Sequence, residues 1–565
     1  MGQSQQATGP REYIGPRCMI DKTQYIRLIE QALGNLGYGD VAAELERVSG
    51  VEMQPLVARR FREAVLKGDV STALSLLGEL GSDANSVEQA RYLLLCNHYA
   101  SLVESGESQA ALKYLREQIQ PLESQLVARD GPRLTNAPQS LSYLAAMLLD
   151  RSSHPCPPKR LRDDVNEERQ ERLLSDLQRL LSPEVLMPEN RLEVLLEQAV
   201  TSQIEKCRYH NTRNPRVSLM TDYKAGPECL PTVPYHRLSF HTDEVWVVQF
   251  SPDGKLLLSA SKDGSAVLWN VQNIESVGLK GVLYSGSAPI NIAAFSPSGE
   301  EVLLGSGDGK IRVFEVSTAK KLIEIQIGSV TEGISAAMWA NGSSRIAVTC
   351  NKELRLINIG PEQGQNGEWL LEYRTRLDQH AYDTVLSADG GTFVSVGQDR
   401  MLRFTRMSDN KVVTRGPEPT AVTCLSRSPD GRFLASNLSN GGIHVWQLGN
   451  LEPISDDRNP LAETEDPLDK LPHEPLYVLK GLKLSHPGRF VIRSSFGGAN
   501  NAFVGTGSES SLIHIWHRES SALVASVEGH SATVNAVAWN PLDDHMLASA
   551  SDDHEVIIWV SQKSV

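Results

Sequence analysis

The sequence predicts a protein with two parts of different fold class, an all-α N-terminal part and an all-β C-terminal part. From Thr23 to Gln120, apolar residues recur at the spacing of amphipathic helices. From about residue 230 onwards, short runs that alternate apolar with polar residues recur at a fixed period, with turn residues between them. A change of period within one chain indicates a boundary between two domains.

The composition excludes several classes of function. The 565 residues, 40% of them hydrophobic, suffice for more than one buried core. A formal net charge of −14 leaves no broad basic surface, so we expect no nucleic-acid partner. The seven cysteines include no C-x-x-C pair, and no apolar run reaches the length of a signal-peptide core or a membrane span. We therefore expect no membrane partner, and a location in the cytoplasm and the nucleus.

The C-terminal part contains seven repeats, each ending in a strand that carries an aromatic or branched residue. Five of the six spacings between these residues lie between 42 and 47 residues. The sixth spacing, of 70 residues, contains an acidic and proline-rich insert from Leu451 to Pro475. We expect this insert to be a mobile loop. The marker residues are Trp269, Phe314, Ile357, Phe404, Trp446, Trp516 and Trp559.

The first and last repeats share a histidine, serines, an aspartate and a tryptophan at matching positions. This pattern resembles the WD-repeat family, which implies a seven-bladed β-propeller. In that family four such side chains form a hydrogen-bonded structural tetrad, and a strand from before the first blade, here expected within Tyr235 to Phe240, closes the ring. The resemblance places the tetrads at His241, Ser261, Asp263 and Trp269 and at His530, Ser551, Asp553 and Trp559, with Ser259 and Ser549 as alternative serines.

The same residue types also occur in hydrolytic active sites, so a catalytic site is the alternative to a blade. The stretch from Gly529 to Trp559 consists of three short strand patterns with turns between them, and it presents no nucleophile in a cleft. We therefore predict no catalytic residues, no metal site and no cofactor. The middle repeats lack parts of the pattern: Asn440 and Ser510 stand where the outer repeats have an aspartate.

The N-terminal part begins with an apolar stripe on two short helices. Ile26, Ile29, Leu33 and Leu36 are spaced to lie on one helix face, and a Gly-Tyr-Gly-Asp break follows. Two helices this short do not bury their stripes alone, and a second copy usually covers them. Tyr25 to Val51 resembles the LisH motif, which dimerises in its family; a hairpin that packs on its own domain is the alternative. The resemblance implies a dimer interface of Ile26, Ile29, Leu33, Leu36, Tyr38 and Leu45.

Helix pairs from residue 56 to residue 120 resemble the CTLH domain. The predicted organisation is therefore a disordered N-terminus (1–22), a LisH dimerisation motif (23–55), a CTLH helical domain (56–120), further CRA-like helices with a linker (121–225), and the propeller (230–565) with its insert at 451–475.

The order LisH, CTLH, WD repeats resembles the WD-repeat subunits of CTLH (GID) ubiquitin ligase complexes. The resemblance implies a non-catalytic scaffold that binds sister subunits, forms a homodimer and recruits protein substrates or regulators for ubiquitin-dependent degradation. The alternative is a LisH–WD-repeat transcriptional co-repressor or chromatin adaptor. A receptor of a cullin-type ligase is disfavoured, because no blade tryptophan begins the tetrapeptide W-D-x-R.

Overall fold

The chain forms two compact units, Met1–Thr201 and Ser202–Val565. The computed structural model describes residues 13–14, 19–80, 84–130, 159–181, 187–328, 333–340, 342, 344–360, 370–449, 466–480 and 491–563. Helices and one short strand pair make up the described part of the first unit, and seven four-stranded sheets form the second. The predicted fold class, a helical part followed by a seven-bladed propeller, is confirmed.

A small strand pair precedes the first helical hairpin. Strand β1 (Tyr13–Ile14) pairs antiparallel with β2 (Ile20–Asp21), and helices α1 (Lys22–Asn35) and α2 (Gly39–Ser49) follow. The prediction of a disordered segment over 1–22 is therefore wrong for these strand residues, while residues 1–12 and 15–18 lie outside the described part.

The break between α1 and α2 has a specific cause. Gly37 adopts a φ of +86°, in the left-handed region that a glycine enters without strain. The N–H of Tyr38 then donates to the carbonyl of Leu33 at 2.8 Å, which closes the end of α1 with a Schellman-type bond.

The remaining helices form the core of the first unit. Phe61, Leu94 and Leu177 are fully buried in one apolar cluster that joins three of them. The predicted helical run from Leu141 to Leu149 lies outside the described residues. The helices are α3 (Leu56–Leu66), α4 (Val70–Leu77), α5 (Ala84–Ser105), α6 (Ser108–Tyr114), a π-helical turn (Leu115–Ile119), α7 (Gln120–Asp130), α8 (Lys159–Leu180) and α9 (Arg191–Lys206).

Each of the seven sheets is one blade; the strands lie in sequence order in six of them, and in blade 7 the fourth strand is β3. Blade 1 is β4 (Val245–Phe250), β5 (Leu256–Ser261), β6 (Ser265–Asn270) and β7 (Gly278–Ser285); blade 2 is β8 (Ile290–Phe295), β9 (Glu301–Ser306), β10 (Lys310–Glu315) and β11 (Lys321–Gln326); blade 3 is β12 (Ile334–Trp339), β13 (Arg345–Cys350), β14 (Glu353–Asn358) and β15 (Leu370–Arg376). Blade 4 is β16 (Ala381–Leu386), β17 (Thr392–Gly397), β18 (Leu402–Arg406) and β19 (Val412–Arg415); blade 5 is β20 (Val422–Arg427), β21 (Phe433–Leu438), β22 (Ile443–Gln447) and β23 (Tyr477–Leu479). Blade 6 is β24 (Ser494–Gly497), β25 (Phe503–Thr506), β26 (Leu512–His517) and β27 (Ala522–Glu528); blade 7 is β28 (Val534–Trp539), β29 (Met546–Ser551), β30 (Glu555–Ser561) and β3 (Pro231–Ser239).

The ring closes by pairing the first and last strands of the propeller. Strand β3 runs antiparallel to β30, with Leu238 opposite Val556. This pairing covers an edge that blade 7 would otherwise expose. The predicted closure by a strand within Tyr235 to Phe240 is confirmed, although the strand begins earlier, at Pro231.

A segment ahead of β3 also belongs to the propeller unit. The fully buried side chain of Asn211 donates to the carbonyls of Cys229 at 3.1 Å and Asp544 at 2.7 Å, and it accepts the N–H of Ala499 at 3.1 Å. Arg213 forms an ion pair with Asp544 at 3.1 Å. Residues 207–229 are therefore anchored to blades 6 and 7, whereas the sequence pattern grouped 207–225 with the helices.

The C-terminal end of the acidic insert is packed rather than mobile. Leu468 is 0% exposed and lies in an apolar cluster with Phe404 and Trp446. Asp466 forms ion pairs with Arg406 and, at 2.8 Å, with Lys411. The prediction of a mobile loop is therefore wrong for this end, because its leucines bury apolar area that polar composition alone does not reveal. Residues 451–465 lie outside the described part.

Candidate protein-interaction sites

Blades 1 and 7 each contain a buried network of the four predicted residue types. In blade 1, Ser259 Oγ lies 2.8 Å from His241 Nε2 and accepts the indole N–H of Trp269 at 2.9 Å. In blade 7, Ser549 Oγ lies 2.7 Å from His530 Nε2 and accepts the indole N–H of Trp559 at 2.8 Å.

The aspartates complete these networks from the turn. Asp263 Oδ2 lies 3.4 Å from His241 Nδ1, and Asp553 Oδ2 lies 2.9 Å from His530 Nδ1. Burial opposes ionisation of Asp553, but hydrogen bonds from His530 and from the N–H of Ser531 outweigh it and hold the pKa at about 2. Burial lowers the pKa of His241, which favours a neutral imidazole at pH 7. Each network ties the loop before a blade to a turn within it.

The prediction of Ser261 and Ser551 as network members is wrong. The serines of the networks lie two residues earlier, which is the next position on the same face of each strand. Trp269 stands opposite Leu257, so Ser259 is its diagonal neighbour, whereas Ser261 is four residues along and about 13 Å away at ~3.3 Å per residue. The hydroxyl of Ser261 instead donates to the carbonyl of Glu244 at 2.8 Å, and that of Ser551 donates to the carbonyl of Ala532 at 3.3 Å. Ser261 and Ser551 hold loop backbone, and Ser259 and Ser549 are the network members.

The blade 7 network has the contacts of a hydrolytic triad but lacks its accessibility. Asp553, His530 and Ser549 are linked in the order that activates a serine nucleophile. Ser549 is, however, 0% exposed, and its Oγ accepts the indole N–H of Trp559. A nucleophile has to reach a substrate carbonyl, so this geometry stabilises the blade and offers no catalytic site.

Blades 2 to 6 carry a basic side chain at a different position, which the sequence pattern did not identify. Four residues before the first strand, where blades 1 and 7 have histidine, they have Gly286, Val330, Leu377, Glu418 and Phe490. Each of them carries a basic residue four positions after the turn residue, where blades 1 and 7 have Val267 and Ile557. The basic residues are Arg312, Arg355, Arg403, His444 and His514.

In blades 2 and 4 this basic residue pairs with the turn aspartate. Arg312 donates to Asp308 Oδ2 at 2.6 Å, and Arg403 donates to Asp399 Oδ1 at 3.0 Å. Burial opposes ionisation of Asp308, but the hydrogen bonds from Arg312, from the hydroxyl of Ser306 and from the N–H of Lys310 together outweigh it and lower the pKa of Asp308 to about 2. A strand guanidinium thus replaces the loop imidazole. The four-residue spacing between the turn and the basic residue was the available sequence signal.

Blade 5 has a carboxylate in the position of the histidine. Glu418 is buried, and its Oε1 accepts the hydroxyl of Ser436 at 2.7 Å and the indole N–H of Trp446 at 3.0 Å. Its Oε2 lies 2.5 Å from His444 Nδ1. The acid and the base have exchanged places relative to blades 1 and 7, while the serine and the tryptophan keep theirs.

The first strands of the blades surround a cavity of about 720 Å³. The second residue of each first strand lines it in six blades, and blade 6 contributes the residue just before β24. A second cavity of about 270 Å³ shares Ser335, Asp383 and Arg493 with the first, and we call these three residues the waist. The ring of lining residues is Trp246, Asn291, Ser335, Tyr382, Thr423, Arg493 and Asn535.

The waist contains one acid and one base that are not paired with each other. Asp383 is buried, and its two oxygens accept the N–H groups of Thr384 and Leu425, each at 2.8 Å. Burial raises the pKa of Asp383. Burial opposes the charge of Arg493, but the nearby Cys424 and Asp383 outweigh it and raise its pKa. Among the described residues, the guanidinium of Arg493 forms neither a hydrogen bond nor an ion pair within 4.0 Å.

The hairpin of α1 and α2, which we call the LisH hairpin after the motif its sequence resembles, exposes apolar surface. Helix α2 contains no buried residue, although Val41, Leu45 and Val48 lie on one of its faces. Leu36 is 69% exposed and Val48 is 70% exposed. Of the predicted interface residues, Leu36 and Tyr38 are exposed, and Ile26, Ile29, Leu33 and Leu45 are half-buried.

Metal sites and membrane-spanning helices are absent from the described ranges. No group of three or more His, Cys, Asp or Glu side chains there is arranged to hold a metal ion. None of the helices in the described residues is long and apolar enough to cross a membrane.

A LisH hairpin, further helices and a closed ring of seven blades define the class: a LisH-bearing WD-repeat protein. Residues 11–55 match the family model described as WDR26 Lis-homology domain. Residues 232–270, 410–447 and 521–560 match the model described as WD domain, G-beta repeat.

Similar proteins extend over nearly the whole chain. The WD repeat-containing protein 26 homolog of Arabidopsis thaliana is 30% identical over 554 residues, which cover 98% of this chain and 86% of that protein. This chain belongs to the family of WD repeat-containing protein 26 homologs. GID complex subunit 7 of Schizosaccharomyces pombe is 29% identical, with coverage of 95% of this chain and 96% of that protein. Among solved structures, the β-propeller domain of Myceliophteria thermophila Cps50 (Swd1) gives a TM-score of 0.48 at 18% identity, covering 57% of this chain and 99% of that one.

Proposed function

We propose that this chain is a non-catalytic scaffold subunit of a CTLH/GID-type ubiquitin ligase complex and that it recruits substrates or regulators to it. The observation that carries the proposal is the LisH hairpin, in which α2 buries no residue within the chain. An apolar face of this kind is stable in water when a partner covers it. The similarity to GID complex subunit 7 over 95% of the chain supports a GID-type complex as the setting.

The helical unit is the assembly part of this proposal. The exposed Leu36, Tyr38 and Val48 suit a large and dry contact of the type that permanent subunit interfaces use. The LisH face is covered by a second copy of the protein, and sister subunits bind the other helices.

The propeller is the recruiting part. Its networks are buried and tie loops to turns, so they keep the ring rigid while the residues of the cavity vary without loss of the fold. Ubiquitin transfer is the work of other subunits, and the recruited proteins are directed to degradation.

Affinity purification of the tagged full-length chain from its own cells, followed by mass spectrometry, tests this proposal. We expect RING-bearing ligase subunits to co-purify in fixed proportion, and we expect the tagged chain in both cytoplasm and nucleus by imaging. A set of co-repressor or chromatin proteins without ligase subunits would contradict the proposal and favour the alternative function.

A further inference from the structure

Arg493 at the waist has hydrogen-bonding capacity that the described residues do not use. It is the one basic side chain among the described residues that line the larger cavity, and it also lines the smaller one. Its backbone N–H donates to the carbonyl of Asn535 at 2.8 Å, which fixes the main chain at this point. The guanidinium itself, with five N–H donors, has no hydrogen-bond partner in the described residues. A half-buried cation that no described side chain pairs with indicates a place for an anionic group.

Asp383 does not fill that place. Its carboxylate is occupied by the N–H groups of Thr384 and Leu425, which hold it against the strands of blades 4 and 5. No ion pair within 4.0 Å joins it to Arg493 among the described side chains. Arg493 therefore has its positive charge and the N–H donors of its planar guanidinium available for a ligand.

The remainder of the cavity suits an extended polypeptide. The other ring positions are aromatic or neutral and polar, such as Trp246. Two further carboxylates line the cavity, but each has a partner: Glu244 pairs with Lys262 at 2.8 Å, and Asp552 accepts the side-chain N–H of Asn535 at 2.6 Å. Aromatic faces and neutral amide or hydroxyl groups bind a peptide main chain and side chains of varied type. The volume of about 720 Å³ lies in the range that protein sites use for ligands larger than a single ion.

We infer that the propeller recruits proteins by taking an extended segment into the larger cavity and binding one of its carboxylates at Arg493. A guanidinium and a carboxylate form two parallel hydrogen bonds, so the pair supplies both orientation and affinity. The carboxylate belongs to the C-terminus of the recruited protein or to one of its aspartate or glutamate side chains. The inference rests on the proposed recruiting function and names the substrate class that this function selects.

The test selects binders to the full-length chain from four synthetic libraries of random peptides. The C-terminus is free in two libraries and amidated in the other two, and each pair is made with and without aspartate and glutamate. We expect binders from the three libraries that contain a carboxylate. The source of the carboxylate follows from comparing the free-C-terminus library without acids with the amidated library that contains them, since each of these offers only one kind of carboxylate. Binders of equal affinity from the amidated library without acids, or no binders from any library, would overturn the inference.

Variants then locate the carboxylate. Arg493→Gln should weaken the selected peptides about 10- to 100-fold, and Arg493→Lys should restore part of the loss, because charge without the planar fork remains. Arg432→Gln, which removes an exposed guanidinium, is the matched control. Ser335→Trp fills the waist without changing Arg493 and should also block binding. Unchanged binding by Arg493→Gln or by Ser335→Trp would contradict the inference.

Co-purification separates this inference from the function on which it rests. Arg493→Gln should still co-purify the ligase subunits, because the helical unit mediates assembly. If ligase subunits co-purify with wild type but the selected peptides bind Arg493→Gln as tightly as wild type, only the inference fails. If no ligase subunits co-purify with wild type, the proposed function fails.

Discussion

The two units of this protein differ in how much of their own apolar surface and strand edge each one covers. The propeller pairs β3 with β30, so blade 7 gains the strand that closes the ring, and buried apolar clusters join neighbouring blades. The LisH hairpin, in contrast, has a helix α2 with no buried residue and exposes Leu36 and Val48. The propeller therefore covers the edge of blade 7 within a single protomer, whereas the hairpin leaves apolar side chains exposed, which is the observation on which the proposed association rests.

A second comparison, between blades, shows that the chemistry of a network varies while its task stays constant. Blade 7 links its loop and turn through His530, and blade 2 links strand and turn through Arg312. Blade 5 uses Glu418 in the loop. In each case one buried side chain finds a hydrogen-bonding partner within its own blade, as buried polar groups require.

The largest effect is expected from a substitution that disrupts the proposed dimer contact of the LisH hairpin. Leu36→Asp places a carboxylate in the proposed dimer contact, where an unpaired buried charge costs about 3–5 kcal/mol. Because Leu36 is 69% exposed in the single protomer, the substitution leaves the fold of the hairpin intact. We expect the dimer dissociation constant, measured by sedimentation velocity over a concentration series, to rise about 1,000-fold.

Leu112→Asp is the matched control, since Leu112 is an exposed leucine on another helix of the same unit. It should leave the oligomeric state unchanged. A dimer that persists in Leu36→Asp, or one that both variants dissociate equally, would contradict the LisH contact.

The next effect concerns the two ends of the acidic insert. Leu468→Ala removes a fully buried side chain from the cluster with Trp446 and should lower the free energy of unfolding by about 2–5 kcal/mol. Deletion of residues 451–465, which retains the anchor, should change it by less than about 0.5 kcal/mol. Denaturant unfolding measures both. Equal losses, or a larger loss for the deletion, would contradict the anchoring role of Leu468.

A smaller effect separates the structural network from a catalytic one. Asp553→Ala leaves His530 and the N–H of Ser531 without their acceptor and should cost about 1–3 kcal/mol of stability. Asp222→Ala, at an exposed position, is the control. Thermal unfolding should show the difference. A variant of wild-type stability that had lost a hydrolytic activity would show that the network is a catalytic site.

The smallest effect depends on pH and sharpens the comparison between blades. Asp308 has a folded-state pKa of about 2, below its ordinary value of 3.8, so it stabilises the fold above about pH 4 and loses this effect as pH falls towards 2. With allowance for solvent, Asp308→Asn should cost about 1 kcal/mol at pH 7 and less at pH 3. Unfolding free energies at the two pH values measure this. A cost that grows as pH falls would have the wrong sign.

The sequence alone was enough to predict the features of the fold that recur along the chain. The period of the strand-ending residues predicted seven blades, because each blade repeats the same short strands and turns. The resemblance to the WD-repeat family predicted the closing strand within Tyr235 to Phe240.

Features that depend on which side chains meet across space were missed. The choice between Ser259 and Ser261 depends on the register of β5 against β6, which alternation alone leaves open by two residues. The pairing of Arg312 with Asp308 was missed because the family pattern directs attention to a histidine before the blade. Arg493 in the waist and the anchor at Leu468 depend on neighbours distant in sequence, and the composition around Leu468 indicated a mobile loop.

The central claim is that assembly belongs to the helical unit and recruitment to the propeller, and separate expression of the two units tests it most directly. Residues 1–206 keep α9 whole, and residues 207–565 keep the segment anchored through Asn211. Each fragment is tagged in cells that supply the ligase subunits, and co-purified proteins are quantified by mass spectrometry. The account predicts that 1–206 retains the ligase subunits while 207–565 folds, as judged by a cooperative thermal transition, and retains none of them. Ligase subunits recovered with 207–565 and absent from 1–206 would contradict it.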